Sequence, residues 1–135
     1  MPGMSTALAN LILDAIFRAG TYTGGSVYLA VSTADPGADG SGLAEPGAAD
    51  YARLDISAAF AAAAGRSITH AAVLTLTAAA VNAWGTLTHG AVCDAAGTGA
   101  GNVLWSFELA TPHTVEVGDP VTVPAGLLAP GFPWS

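Results

Sequence analysis

Three histidines, one cysteine and ten acidic residues are the side chains with which this 135-residue chain could do chemistry. Their spacing decides what they could do. His70, His89 and His113 lie too far apart for a helical or hairpin metal motif. His89 and Asp94 form a nominal zinc pair, since zinc takes imidazole and carboxylate. Five residues apart along one strand, however, they point to opposite faces. A local hydrogen bond for His89 is the plainer reading. A Ser/His/Asp hydrolase would place its nucleophile on a G-x-S-x-G turn, and the sequence has none. The run Gly97 to Gly101, GTGAG, superficially resembles a dinucleotide loop, but such a loop opens a helix. Here it joins two strand-like segments, as a hairpin turn does. Asp35, Asp39, Glu45 and Asp50 share one loop and offer the oxygen ligands calcium prefers. Their spacing is not that of an EF-hand, and a solvated acidic loop or a partner-contacting arm explains them as well. Cys93, next to Val92, reads as a small buried hydrophobe. We therefore assign no catalytic, cofactor or metal site and expect a non-enzymatic protein.

Composition narrows the partners. Charged residues make up 10% of the chain, against about 25% in an ordinary soluble domain. Hydrophobic residues reach 52% and the mean hydropathy is +0.52. Charge alone cannot cover such a surface, and large exposed apolar patches mark interfaces. The only basic residues are Arg18, Arg53 and Arg66, and the net charge is −7. Contact with a phosphate backbone requires clustered Lys and Arg, so nucleic-acid binding is excluded. The same charge argues against adhesion to an anionic membrane. No run of about 18 apolar residues suggests a membrane span. The N-terminal stretch has no basic lead and carries Asp14, unlike a secretory signal.

The elements that must position these residues follow from periodicity. Leu8, Leu11, Ile12, Ala15, Ile16 and Ala19 recur at helical spacing behind a Ser5 or Thr6 cap, predicting a helix over Thr6 to Ala19 ended by Gly20. Its apolar stripe is wide, so it must pack on the sheet or on a neighbouring subunit. Ser26 to Ser32 reads as a strand, and Thr33 to Asp50, dense in Gly, Pro and Asp, as a long surface loop. Tyr51 to Ser57 and Ser67 to Leu76 read as further strands, with an irregular Ala-rich crossing, Ala58 to Gly65, between them. The centre of the chain is a hairpin. Ala83 to Asp94 and Val103 to Leu109 flank the Gly-rich turn and hold two of the three tryptophans. Val103, Trp105, Phe107 and Leu109 are expected on one face, with Leu104, Ser106 and Glu108 on the other. Thr111-Pro112 should break the strand before His113 to Val117, and the prolines around Pro120 to Pro124 suggest an edge strand. Leu127 to Ala129 could add a last strand. The result is one mainly β domain, an antiparallel β-sandwich of about seven to eight strands with one N-terminal helix. Residues 130–135 form a tail.

Several segments in order, LANLILDAIFRAGTYT, VYLAVSTADPGADGSG, a Glu-Pro-Gly loop leading to YARLDI, WGTLTHGAVCDAAGTGAGNVLW and VEVGDPVTVPAGLL, resemble a family of small tailed-phage virion proteins of the tail-fibre-like and head-decoration kind. The likeness spans Leu8 to Leu128. Such proteins usually carry a bulky residue near the positions of Gly90 and Val92, where this chain has the slimmer Gly90-Ala91. The resemblance implies structural work in a virion. A compact, apolar, acidic chain without repeats or an extended shaft suits a capsid decoration (cement) protein that binds the major capsid protein as a homotrimer. Avidity on a lattice would strengthen each contact. The alternative is a tail-fibre or tail-associated module that recognises a host surface or another tail protein. In either case Leu11 and Phe17 of the helix, Asp35 and Pro36 of the long loop, Tyr51 and Arg53 of the second strand, and Phe132 and Trp134 of the tail are the interface candidates. Tyr51 and Arg53 share one side of their strand. The arginine is expected to pair with Asp55 or with a partner's carboxylate.

Overall fold

The computed structural model describes residues 3–18, 25–65, 67–71, 73–76 and 82–123. The elements in chain order are β1 (Gly3–Met4), α1 (Thr6–Phe17), β2 (Tyr28–Ser32), β3 (Leu54–Asp55), β4 (Leu74–Leu76), β5 (Gly85–Cys93), β6 (Val103–Val115) and β7 (Val121–Val123). The fold is mainly β, in two antiparallel sheets with a single helix among the described residues. The larger sheet has the order β1-β6-β5-β2-β3, and β4 pairs with β7 in the smaller one.

Ser5 caps α1. Its backbone is extended and its Oγ accepts from the Leu8 N–H at 3.2 Å, satisfying one of the orphan donors of the first turn. Its own N–H is donated to the Leu104 carbonyl at 2.9 Å, which fastens the start of the helix to β6. Ser5→Ala is expected to cost about 1 kcal/mol, read as a lower urea midpoint at unchanged slope. The helix stops at Phe17, two residues short of the expectation. The Arg18 N–H closes the last turn on the Asp14 carbonyl. Gly20 lies outside the described residues.

The sandwich core forms where the two sheets face each other. On β4 and β7, Leu74, Leu76, Val121 and Val123 point inward, with Thr75 and Thr122 outward, a period of two. They meet Leu29, Val31, Leu87, Val92 and Val115 of the larger sheet, and Tyr51, Ile56 and Trp84 close the cluster. Tyr51 and Trp84 stack edge to face with ring centroids 5.2 Å apart. Behind the larger sheet a smaller cluster, Ala30, Ala91, Cys93 and Val103, is covered by Leu43 of the long loop. Burial there pushes the Cys93 thiol up to about 11. At pH 8 Cys93 should therefore react with a disulfide reagent at least about a hundredfold more slowly in the native protein than in the urea-unfolded chain. Equal rates would contradict that placement.

Four expectations change. First, Thr111-Pro112 does not break the strand, because β6 runs unbroken from Val103 to Val115. Leu87 pairs with His113 and His89 with Glu108, so Leu109 to Pro112 lie opposite Thr88 alone. Pro112 has no N–H to donate, and it falls in this bulge where none is required. Second, the expected one-face set Val103, Trp105, Phe107 and Leu109 is split. Val92 pairs with Trp105 and Cys93 with Val103, leaving Leu104 as an extra residue. The bulge turns Val103 to the smaller cluster, while Trp105, Phe107 and Leu109 pack on the main core. Third, the strand expected over Tyr51 to Ser57 contracts to Leu54–Asp55. Asp55 accepts from the Ser57 N–H (2.9 Å) and hydroxyl (2.6 Å), and this turn ends the ladder. Fourth, of Ser67 to Leu76 only Leu74–Leu76 forms a strand. Upstream of it, single bridges join Phe60 to His70 and Ala64 to Ser67, so the Ala-rich crossing folds back on this segment. The possible strand at Leu127 to Ala129 lies outside the described residues.

Gly90 is the slim position in the hairpin. It sits directly across from Phe107, and a Cβ built on Gly90 would run into the Phe107 ring. The bulk missing from β5 is supplied by the opposite strand.

Candidate functional site

The long loop and the hairpin turn are tied together by buried charge. Glu45 and Arg53 form a two-pronged pair: Arg53 Nε donates to Glu45 Oε1 and Nη2 to Oε2, both at 2.8 Å. Their side chains are 3% and 1% exposed. The Tyr51 hydroxyl donates to Glu45 Oε1 at 2.8 Å and accepts from the Val31 N–H at 3.2 Å. The Gly99 N–H donates to Glu45 Oε2 at 2.8 Å. Arg53 Nη1 reaches across to the carbonyls of Ala95 (2.7 Å) and Ala100 (2.9 Å). One ion pair thus joins the loop after β2, the approach to β3 and the turn between β5 and β6. Asp94 closes that turn from its other end, accepting from the Asn102 N–H and from Nδ2 at 3.0 Å.

The electrostatics follow from these contacts. Burial pushes the Glu45 carboxyl up, but the hydrogen bonds from Arg53, the Gly99 N–H and Tyr51 outweigh it and hold it below its ordinary range. Burial raises the Tyr51 phenol well above its usual value. Glu45 therefore stabilises the fold fully above the unfolded-state value, near pH 4.3, and loses that contribution as pH falls through its lower folded value. Stability measured by denaturant should decline below about pH 4.3. Glu45→Gln should make the decline shallower. An unchanged slope would remove Glu45 from the acid transition. Chemically the cluster is saturated. The carboxylate faces a bound guanidinium and the phenol is held protonated, so neither is free to accept or deliver a proton.

Above Arg53, the turn at residues 39–43 and the hairpin turn enclose an open cavity of about 340 Å³, lined by polar Asp39, Ser41 and Asn102 with Leu43 and Val103. Gly40 and Gly101 shape its walls at positive φ. A Cβ on Gly40 would meet the Val103 side chain, and one on Gly101 would meet Asp94 and Ala95. Asp39 accepts from both the Ser41 N–H and hydroxyl, which lowers its carboxyl below the ordinary value.

The sequence-derived candidates are placed differently from one another. Tyr51 and Arg53 are interior, held by Glu45. The expected Arg53–Asp55 pair does not form, because Asp55 is occupied by Ser57. Pro36 is buried within the loop. Asp35 is exposed, accepts from the Gly37 N–H at 2.9 Å and lies 4.0 Å from His89 Nε2. His89 Nδ1 lies 2.9 Å from the Thr88 hydroxyl, the local bond the sequence suggested. Leu11 is half-buried in an apolar groove with Leu8, Ile12, Ala15 and Ile16, and Phe17 is 77% exposed. Phe132 and Trp134 lie outside the described residues. The four acidic residues of the long loop are dispersed to separate partners, including a Trp84 Nε1 bond to Asp50 at 3.4 Å. Among the described residues no three His, Cys, Asp or Glu side chains are placed to hold a metal ion. No described helix is long and apolar enough to cross a membrane. Sequence reasoning missed Glu45 as the arginine's partner. The spacing Asp55-x-Ser57, which favours a local turn, was the signal that Asp55 was already committed.

The described residues thus form a two-layer β-sandwich whose buried charges brace its loops, with one exposed apolar helix. The chain belongs to the family described as podophage GP4 fiber I protein gp80, whose model matches residues 3–129. It is thus a phage virion structural protein, and the resemblance to tail-fibre-like phage proteins holds over nearly the whole chain. A search of curated proteins found no match.

Proposed function

We propose that this chain is a fibre component of a short-tailed phage, a non-enzymatic module on the tail that recognises a host surface or another tail protein. The observation that carries this reading is the fibre family match over residues 3–129. It favours the tail over the capsid-decoration role that compactness suggested. The structure is in keeping with it: the loops are braced by Glu45 and Arg53, which suits a preorganised binding surface. The experiment is immunogold labelling of intact virions, paired with an adsorption assay in the presence of Fab fragments against this protein. Label on the tail and slowed adsorption support host recognition. Label on the tail with normal adsorption supports contact with another tail protein. Label distributed over the head overturns the fibre reading in favour of decoration.

A further inference from the structure

The cavity above Arg53 brings unused hydrogen-bonding groups together at two exposed turns. A guanidinium has five N–H donors. In Arg53, Nε–H and one Nη2 N–H go to Glu45, and Nη1 donates to the Ala95 and Ala100 carbonyls. The fifth, on Nη2, has no partner among the described residues, although the side chain is 1% exposed. Arg53 lines the cavity, and a buried donor of this kind calls for an acceptor. Further groups are spare at the rim. Asp39 Oδ1 accepts both Ser41 bonds, which leaves Oδ2. Asn102 commits one N–H of Nδ2 to Asp94, which leaves its Oδ1 and the second N–H. Leu43 and Val103 add an apolar patch among them.

We propose that this cavity binds a neutral saccharide, with one sugar ring seated between the turn at residues 39–43 and the hairpin turn. The groups present select the ligand. A hydroxyl both donates and accepts. A ring carrying several can accept from Arg53 and Asn102 while donating to Asp39 Oδ2 and Asn102 Oδ1. Its C–H edges suit Leu43 and Val103. An anion fits poorly, because Asp39 is exposed at the rim and Glu45 already matches the Arg53 charge. A metal cation fits no better, since Asp39 is the single carboxylate among the lining residues and Arg53 lies beside it. An aromatic ligand would want a ring to stack on, and none of the lining residues is aromatic. A volume of about 340 Å³ is at the small end of ligand cavities, about 300–1,000 Å³. The opening lets a longer glycan continue into solvent. The walls are also set in advance. Gly40 packs closely on Val103, and the Glu45–Arg53 pair ties the long loop to the hairpin turn. Binding therefore requires little loop ordering. The inference deepens the host-recognition reading above and rests on it for its biological setting.

Amide NMR of the full chain tests it. The probes are methyl glycosides of glucose, galactose, mannose, rhamnose and N-acetylglucosamine, with sodium sulfate and calcium chloride as controls. At least one glycoside should shift the amides of residues 39–43 and 99–103 saturably, and neither salt should. Asp39→Asn keeps an acceptor for the Ser41 bonds but removes the charged acceptor at Oδ2. Asn102→Ala removes the spare amide groups and leaves the Asn102 backbone N–H on Asp94. Each should weaken glycoside binding by at least about tenfold. Both positions are exposed, and the amide spectrum away from the cavity verifies that each variant is folded. No shift with any glycoside would overturn the proposal, as would a shift with sulfate or calcium in place of a glycoside. A folded variant at either position that binds as tightly as the wild type would overturn it too. The fibre reading fails separately. Tail labelling without glycoside binding removes the saccharide site alone, whereas glycoside binding with head labelling supports the site and removes the fibre.

Discussion

Glu45→Ala is expected to destabilise the protein by about 3–5 kcal/mol, the cost of leaving one member of a buried ion pair without the other. The deletion strands Arg53, whose side chain is 1% exposed, and removes the acceptor for both the Tyr51 hydroxyl and the Gly99 N–H. An exposed pair such as Asp14–Arg18 would contribute only a few tenths of a kcal/mol. The contrast rests on burial, since both pairs have short contacts. Urea unfolding of Glu45→Met, Arg53→Met and the double variant Glu45→Met/Arg53→Met forms a cycle. Replacing both partners with apolar side chains removes the stranded charge, so the double variant should lose much less than the sum of the singles. Additive losses would mean that the pair is not coupled. Because Arg53 also holds the Ala95 and Ala100 carbonyls, amide exchange in residues 95–101 should accelerate in either single variant while the β2–β5 ladder stays protected.

The second large effect is expected at Gly90. Gly90→Val should cost about 1–3 kcal/mol, because any Cβ there meets the Phe107 ring and the core must shift to admit it. The partner position identifies the cause. Phe107→Ala in the Gly90→Val background should recover part of the loss, since Gly90 and Phe107 are directly paired. On its own Phe107→Ala should destabilise by opening space over the glycine. If Gly90→Val were neutral, the ring would have a second accommodating position and the packing described here would be wrong. Other members of this fold type that carry bulk on the β5 side are expected to have a smaller residue opposite it, which preserves the volume.

These two sites mark the boundary between what was legible in the sequence and what was not. The helix with its Ser5 cap, the central hairpin around the Gly-rich turn, the long loop and the two-layer β class all follow from local rules. Capping, period-two alternation and turn residues act over a few positions, so the sequence by itself determined them. It also determined the absence of a basic surface, and its ordered segments pointed to phage virion proteins. The tertiary structure decided which residues of a strand actually pair. Two bulges, at Leu104 and at Leu109 to Pro112, reverse the face of Val103 and carry β6 past a proline. A bulge depends on the register of the opposite strand, which periodicity within one strand does not report. The Glu45–Arg53 pair was hidden for the same reason. Asp55 is nearer in sequence, but it is consumed by its own turn. The true partner sits in a loop brought over by the β2–β5–β6 sheet, along with Gly99 from the hairpin turn. The Arg53 guanidinium and the Gly99 N–H, 8 and 54 residues from Glu45 along the chain, reach its carboxylate only once the sheet is built, because desolvating a charge is tolerable only where the fold supplies every partner at once.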